Sequence, residues 1–292
     1  MTEKFDAACA ARGRKDLAGC LVEVGDAFEL RVKGNKASPL DDDAKILAEA
    51  VADAGVELSA INAENQELCD AGVAALAVLG ARTLNFRGNN ISAAAGALAR
   101  SGCEALDLSR NPLGRSGGLA LAEALAEAGP LRLLCIAHAD LDTAALVAVC
   151  ASLLRSDAAL EALDLSGNTS PATEQQDDVA KHVSSMLGLN AGLRTLKLAG
   201  MRFGNDAAGF LADALGNNRA LTTLDLKSNK IRAAGAAALA DVLADVRAAA
   251  PLLRLDLSHN RIGDAQCVNL PPDAPRRLPP SGDAGAEALA LA

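Results

Sequence analysis

Tryptophan and tyrosine are absent from the 292-residue chain, and phenylalanine occurs only five times. A core without large rings is built from leucine, alanine and valine. That composition suits regular layers of small units better than an irregular globule. Tyrosine and tryptophan are also the side chains that most often anchor protein interfaces. A partner of this chain is therefore held mainly by arginine, acids and small polar groups, which predicts salt-sensitive binding of moderate affinity. No apolar run approaches the roughly 18–20 residues that span a bilayer. The N-terminal stretch MTEKFDAACAARGRKDLAG holds no apolar segment of a secretory signal. These absences predict a cytoplasmic chain with no membrane partner. The seven cysteines, an odd number, form no Cys-x-x-Cys pair, which implies reduced thiols rather than a disulfide framework or a zinc site. A net charge of −9 provides no concentrated basic face for phosphates, so nucleic acid is not an expected partner. No phosphate-binding loop occurs, and the glycines punctuate repeats instead. Asn90-Ile91-Ser92 and Asn168-Thr169-Ser170 match the glycosylation sequon and, without a signal peptide, read as chance matches.

What is present is repetition. Half of the residues are hydrophobic and 22% are charged, enough apolar matter for a core. The stretch ALDLSRN at 105–111 returns as ALDLSGN at 162–168, TLDLKSN at 223–229 and RLDLSHN at 254–260. The shared template is L-x-x-L-x-L-x-x-N-x-(I/L). Sliding it along the chain finds nine units, starting at 27, 58, 81, 103, 131, 160, 193, 221 and 252. The alternation L-x-L is a short strand with one buried face, and the Ala/Leu segments that follow have helical spacing. Helices are expected at 44–52, 71–79, 118–125, 179–188 and 236–243. Each unit is then strand, turn and helix, returning to a parallel neighbour. No unit buries its leucines alone; stacking buries them in a continuous core.

The nine registered copies resemble the leucine-rich-repeat family, and the 28- and 29-residue spacings resemble its ribonuclease-inhibitor-like class. That resemblance implies an α/β solenoid, a horseshoe with a parallel concave sheet and convex helices. It covers residues 27–265. Residues 1–26 read as an N-terminal helical cap carrying Phe5, Cys9, Leu17 and Leu21. Residues 266–292 read as a Pro-rich insertion and a terminal helical segment. Three readings fit that C-terminus: a crude cap, a truncation, or a fragment of a longer protein. The short units between 58 and 103 leave room for about two helical turns each, and Ser170–Asp178 reads as a polar loop.

Two sets of residues follow from the template. Asn35, Asn89, Asn111, Asn168, Asn229 and Asn260 sit where the strand turns, and repetition at one register makes them a structural ladder. Ala139 and Met201 break it, which predicts local loosening there. The second set faces the concave side, where the resembled family usually binds: Arg82, Arg87, Glu104, Asp107, Arg110, Arg132, Glu161, Asp164, Arg194, Lys197, Asp225, Lys227, Asp256 and His259. Within it, Arg82, Glu104, Arg132, Glu161 and Arg194 alternate in sign. They read either as a self-neutralising ladder or as a charge-patterned docking surface. The row between the inner leucines reads Arg31, Asn62, Asn85, Asp107, Cys135, Asp164, Lys197, Asp225 and Asp256. Most of its acids lie two strands, or about 9–10 Å, apart, too far to share a metal or act as a carboxylate pair. Asp225 and Asp256 alone are on adjacent strands, with Lys227 as their partner. Cys135 is the one thiol on this face. His138, His182 and His259 do not converge with a nucleophile. Asp41-Asp42-Asp43 reads as the acidic first turn of a helix, in preference to a metal or partner site.

No catalytic residues, metal or cofactor are expected. The reading is a monomeric, non-enzymatic scaffold that binds a protein on its concave face. Ran GTPase-activating proteins and innate-immune nucleotide-binding receptors carry similar repeats. A regulator of a small GTPase, with Arg82, Asn85 and Arg87 as the residues to compare, and the sensing fragment of a larger receptor are the alternatives.

Overall fold

The computed structural model describes residues 1–32, 40–127, 129–154, 159–169, 173–244 and 252–263. Asn35 and the segment 266–292 lie outside them. The chain divides into two compact units, Met1–Ser152 with Asp157–Asp164, and Leu153–Ser156 with Leu165–Ala292.

The first unit carries helices α1 (Thr2–Ala11), α2 (Leu40–Ala54), α3 (Asp70–Ala77), α4 (Ala95–Ala99), α5 (Gly114–Leu125) and α6 (Thr143–Ser152). Its strands are β1 (Leu21–Val24), β2 (Ala27–Arg31), β3 (Leu58–Asn62), β4 (Thr83–Asn85), β5 (Ala105–Asp107), β6 (Leu133–Cys135) and β7 (Ala162–Asp164). They lie side by side in chain order. The second unit carries α7 (Thr173–Leu189), α8 (Asn205–Asn217) and α9 (Ala233–Ala244), with β8 (Thr195–Lys197), β9 (Thr223–Asp225) and β10 (Arg254–Asp256) again in chain order. From β2 to β7, and from β8 to β10, every pairing is parallel. Each unit is thus a stretch of α/β leucine-rich-repeat solenoid, and all nine expected strands are present.

The template's apolar positions make the core. Leu30, Ile61, Leu84, Leu106, Leu134 and Leu163 stack along the first unit, each at most 2% exposed. Leu196 and Leu224 do the same in the second. Two positions on, Phe86, Leu108, Ile136, Leu198 and Leu226 are fully buried. A leucine moved from water into such a layer contributes about 2 kcal/mol, and the repetition makes the sum independent of any one ring. Helices of eight residues at α3 and five at α4 fit the short units that hold them. Tight helix contacts need glycine. A Cβ on Gly118 in α5 would come within 2.5 Å of the Ala145 Cβ of α6. These glycines sit inside helices because a neighbour approaches, which extends the sequence reading of them as punctuation.

Two expectations change. The N-terminal segment is not wholly helical. After α1 and a 3-10 turn at Lys15–Leu17, β1 pairs antiparallel with β2 across a two-residue turn, Val24 opposite Ala27. The cause is local: Leu21-Val22-Glu23-Val24 is followed by Gly25-Asp26, and Gly25 takes φ 62°, a hairpin signal. Arg14 then pins this segment to α2. Its guanidinium pairs with fully buried Asp43 and with Asp16. Of the acidic triad only Asp42 stays on the surface, paired with Lys45 at 3.2 Å. Asp41 accepts the Cys69 backbone N–H of the next repeat at 2.9 Å. The second change is at α7, which begins at Thr173 rather than after a polar loop. The polar stretch from 173 to 178 is thus part of the helix rather than of the loop before it.

Candidate interaction face

The turn asparagines are built into the backbone. Asn89 donates from Nδ2 to Ala63 O and Phe86 O, both at 2.8 Å, and accepts at Oδ1 from the backbone N–H groups of Gln66 and Leu68. Asn111 donates to Phe86 O at 2.9 Å and Leu108 O at 3.0 Å and accepts from Ile91 N at 3.1 Å. Asn229 and Asn260 repeat this arrangement in the second unit, bonding Leu198 O and Leu226 O of the preceding repeat. Asn168 donates to Leu165 O at 2.9 Å. Asn89, Asn111, Asn229 and Asn260 therefore tie their own turns to the neighbouring repeat. Ala139 and Met201 replace the amide with fully buried apolar atoms. The strand that precedes Ala139 keeps its register with both neighbours, and the one that precedes Met201 keeps it with β9, so the expected loosening is not seen in these pairings.

A second asparagine ladder escaped the template. Asn190 and Asn218 close the helices α7 and α8. Asn218 donates to Leu187 O and Asn190 O and accepts from Ala220 N and Leu221 N. The signal was available as asparagine three residues before each repeat's first leucine, Leu193 and Leu221.

The residue before the turn position, whether or not that position is asparagine, lies in the left-handed region. It is Asn65, Gly88, Arg110, His138, Gly167, Gly200, Ser228 and His259, with φ between 53° and 73°. L side chains other than Asn, Asp and His rarely adopt this conformation, which costs roughly 1 kcal/mol without glycine. Arg110, His138 and His259 are exposed there, and the two histidines sit in different units. Their spacing reflects this backbone position rather than converging chemistry.

The exposed strand face carries the remaining residues of the set. In the first unit Arg82, Glu104, Arg132 and Glu161 stand exposed at the strand starts. Among the described residues one ion pair forms within this row, Arg132 to Glu161 at 3.2 Å. Arg87 lies 3.6 Å from Glu64. In the second unit Arg194, Lys197 and Lys227 are exposed, and Asp225 and Asp256 are half-buried.

The row between the inner leucines holds the clearest departure from expectation. Its side chains turn back onto their own backbone. Asp107 Oδ1 accepts from Ser109 N at 2.8 Å, Asp225 from Lys227 N at 2.9 Å and Asp256 from Ser258 N at 2.9 Å. Asn62 and Asn85 do the same with Glu64 N and Arg87 N. These are two-residue Asx bonds that close the strand's end. The repeated aspartate is thus backbone punctuation as well as surface charge. At Lys197, which has no acceptor, the Ser166 hydroxyl takes the Ala199 N–H instead at 3.1 Å.

The adjacent pair Asp225 and Asp256 share a register position. The Ser258 hydroxyl and backbone N–H hold the Asp256 carboxyl below its usual range, with Lys227 and Arg254 adding to it. Two carboxyls sharing a proton would raise one of them. This arrangement does the opposite and holds Asp256 ionised.

Cys135 lies between β5 and β7, its thiol 2.8 Å from the Ser109 hydroxyl. Burial and the charges of Asp164 and Asp107 push the thiol up to about 11. That removes the thiolate a reactive cysteine needs. Among the described residues no group of three or more His, Cys, Asp or Glu side chains is arranged to hold a metal ion.

A family model described as Leucine Rich repeat matches residues 104–122, 217–240 and 249–265. Those matches fall on the fourth, eighth and ninth repeats, within the strand–turn–helix series. The chain is a leucine-rich-repeat protein. An internalin from Listeria monocytogenes is 15% identical over 89% of each chain at a TM-score of 0.31, too distant to bear on this chain's fold or function. No curated protein sequence matches. No helix among the described residues is long and apolar enough to cross a membrane.

Proposed function

We propose that this chain is a non-enzymatic scaffold of the ribonuclease-inhibitor-like class. In this reading it acts in the cytoplasm and binds a protein partner through its exposed strand face, without metal or cofactor. One observation carries the reading. Successive strands set their variable side chains in register, so exposed charges form ordered rows over a rigid sheet. Function in such an architecture belongs to the site rather than the fold. The rows supply mixed charge and almost no aromatic surface. Arg82, Arg87, Glu104, Asp107, Arg110, Arg132, Glu161 and Asp164 serve in the first unit. Arg194, Lys197, Asp225, Lys227, Asp256 and His259 serve in the second. Binding is then steered by charge and weakened by salt.

The test is affinity capture from source lysate with the wild type and with the reversals Arg132→Glu, Arg194→Glu and Asp164→Lys. Loss of specific proteins with the reversals supports the strand face. An unchanged captured set, or binding at nanomolar strength that ignores salt, refutes it.

A further inference from the structure

The middle of the first unit's strand face differs from the rest. Ala105 on β5, Leu133 on β6 and Ala162 on β7 share one register position. With an alanine on each side, Leu133 stands above the sheet and is 48% exposed. Two residues further along, the same register sets Asp107, Cys135 and Asp164 in a row. Neighbouring strands are about 4.8 Å apart, so the two acids lie about 10 Å from each other across the Cys135 thiol. Their fields meet there, since both oppose ionisation of that thiol. At the strand starts, Glu104 and Glu161 flank Arg132, whose guanidinium pairs with Glu161. One exposed leucine is therefore ringed by four carboxylates and one guanidinium.

An exposed leucine alone is ordinary on a protein surface. An apolar centre inside a rim of net negative charge has the anatomy of a binding hot spot. The sign of the rim selects the partner, because like charges brought against it are repelled.

We propose that β5, β6 and β7 dock a basic–apolar protein segment. Its apolar surface seats on Leu133, and two Lys or Arg side chains about 10 Å apart meet the carboxylates of Asp107 and Asp164. This rests on the reading of the strand face as the docking surface and names the partner's chemistry. Ser109 N–H occupies Asp107 Oδ1 but leaves the carboxylate's charge in place.

The probe is a phage-displayed random 12-residue peptide library panned against the full chain. Panning is repeated with Leu133→Ser, with the double variant Asp107→Asn/Asp164→Asn, and with Glu123→Gln on the exposed side of α5 as a control. The expected result is enrichment of peptides with an apolar residue between basic ones. Their binding weakens at least tenfold in the first two variants and is unchanged in the control. Circular dichroism melting confirms that the variants fold. Enrichment of acidic or uncharged peptides overturns the proposal, as does basic-peptide binding that survives both variants, or no enrichment above background. If the selected peptides depend instead on Arg82 or Lys227, this proposal fails while the strand face survives as the docking surface.

Discussion

Replacing Asn111 with alanine tests the turn ladder at its best-defined rung. Asn111 is 1% exposed, and its side chain serves both its own repeat and the one before. Removing it orphans Leu108 O as an acceptor and Ile91 N–H as a donor. Phe86 O loses one of its two donors and keeps Asn89 Nδ2. A buried polar group left without a partner costs about 1–3 kcal/mol, and part of that is recovered if water enters the space the amide vacates. The expected loss for Asn111→Ala is about 2–4 kcal/mol, a large share of the 5–15 kcal/mol that holds a typical protein folded. Urea unfolding followed by far-ultraviolet circular dichroism is the assay, since the chain lacks tryptophan for fluorescence. A loss below about 1 kcal/mol would refute the reasoning, because it would mean that the turn relaxes without its amide.

Asn111→Asp sharpens the test. The carboxylate still accepts Ile91 N–H but faces Phe86 O and Leu108 O without a donor. Its folded pKa must rise, so the protonated form is favoured in the folded state. A raised folded pKa gives stability that is full below the unfolded value of about 3.9 and is lost as pH rises through the folded one. The aspartate variant should therefore gain stability on acidification from pH 7 to pH 5, relative to the alanine variant. A parallel pH response of the two variants would show that the side chain does not face those carbonyls.

Asp70 caps the repeat ahead of it, accepting Ser92 N, Ala93 N and Ala94 N and the Ser92 hydroxyl. Burial alone would raise its pKa, but those four donors prevail and lower it. The depressed value gives stability above the unfolded pKa of about 3.9 that is lost as pH falls through the folded one. Asp70→Ala should cost about 2 kcal/mol in urea unfolding at pH 7, and Asp70→Asn less, with a flatter loss of stability between pH 5 and pH 3. Arg14→Met should cost about 3–5 kcal/mol in the same assay, because fully buried Asp43 loses its cation. Cys135, with its thiol at about 11, should react with iodoacetamide at pH 8 on the order of a hundredfold more slowly than a free thiol of pKa about 8.5. Peptide mass spectrometry reads that rate, with exposed Cys69 reacting first.

The repeat was legible because periodicity is written in every unit. Leu106, Leu163 and Leu224 occupy one position of the template, and a buried layer tolerates little else there. What the template hid are features that depend on backbone conformation. Arg110, His138, Ser228 and His259 differ in chemistry and share only a positive φ. A search for like residues at like positions passes over them. Asn190 and Asn218 escaped for another reason: they lie at helix ends, where the units vary in length. The β1–β2 hairpin was hidden by scale. Four residues of alternation before Gly25-Asp26 resemble the apolar positions of a short helix until the turn is weighed. The capping role of Asp41 and Asp70 was out of reach, since their partners lie 28 and 22 residues further along the chain.

The aspartate row shows why fold and function were hard to separate in this sequence. Each of Asp107, Asp225 and Asp256 uses one carboxylate oxygen to hold its own strand's end. Asparagine at Asn62 and Asn85 makes the same bond without a charge. The bond therefore requires an acceptor, not an anion. Where the chain keeps aspartate, the extra negative charge is more than the fold needs, and it lies on the exposed face. That separates the two roles experimentally. Asp107→Asn keeps the bond to Ser109 N–H and removes the charge. Asp107→Ala removes both. If the alanine variant lowers the melting temperature and the asparagine variant does not, any binding lost in the asparagine variant belongs to the charge alone.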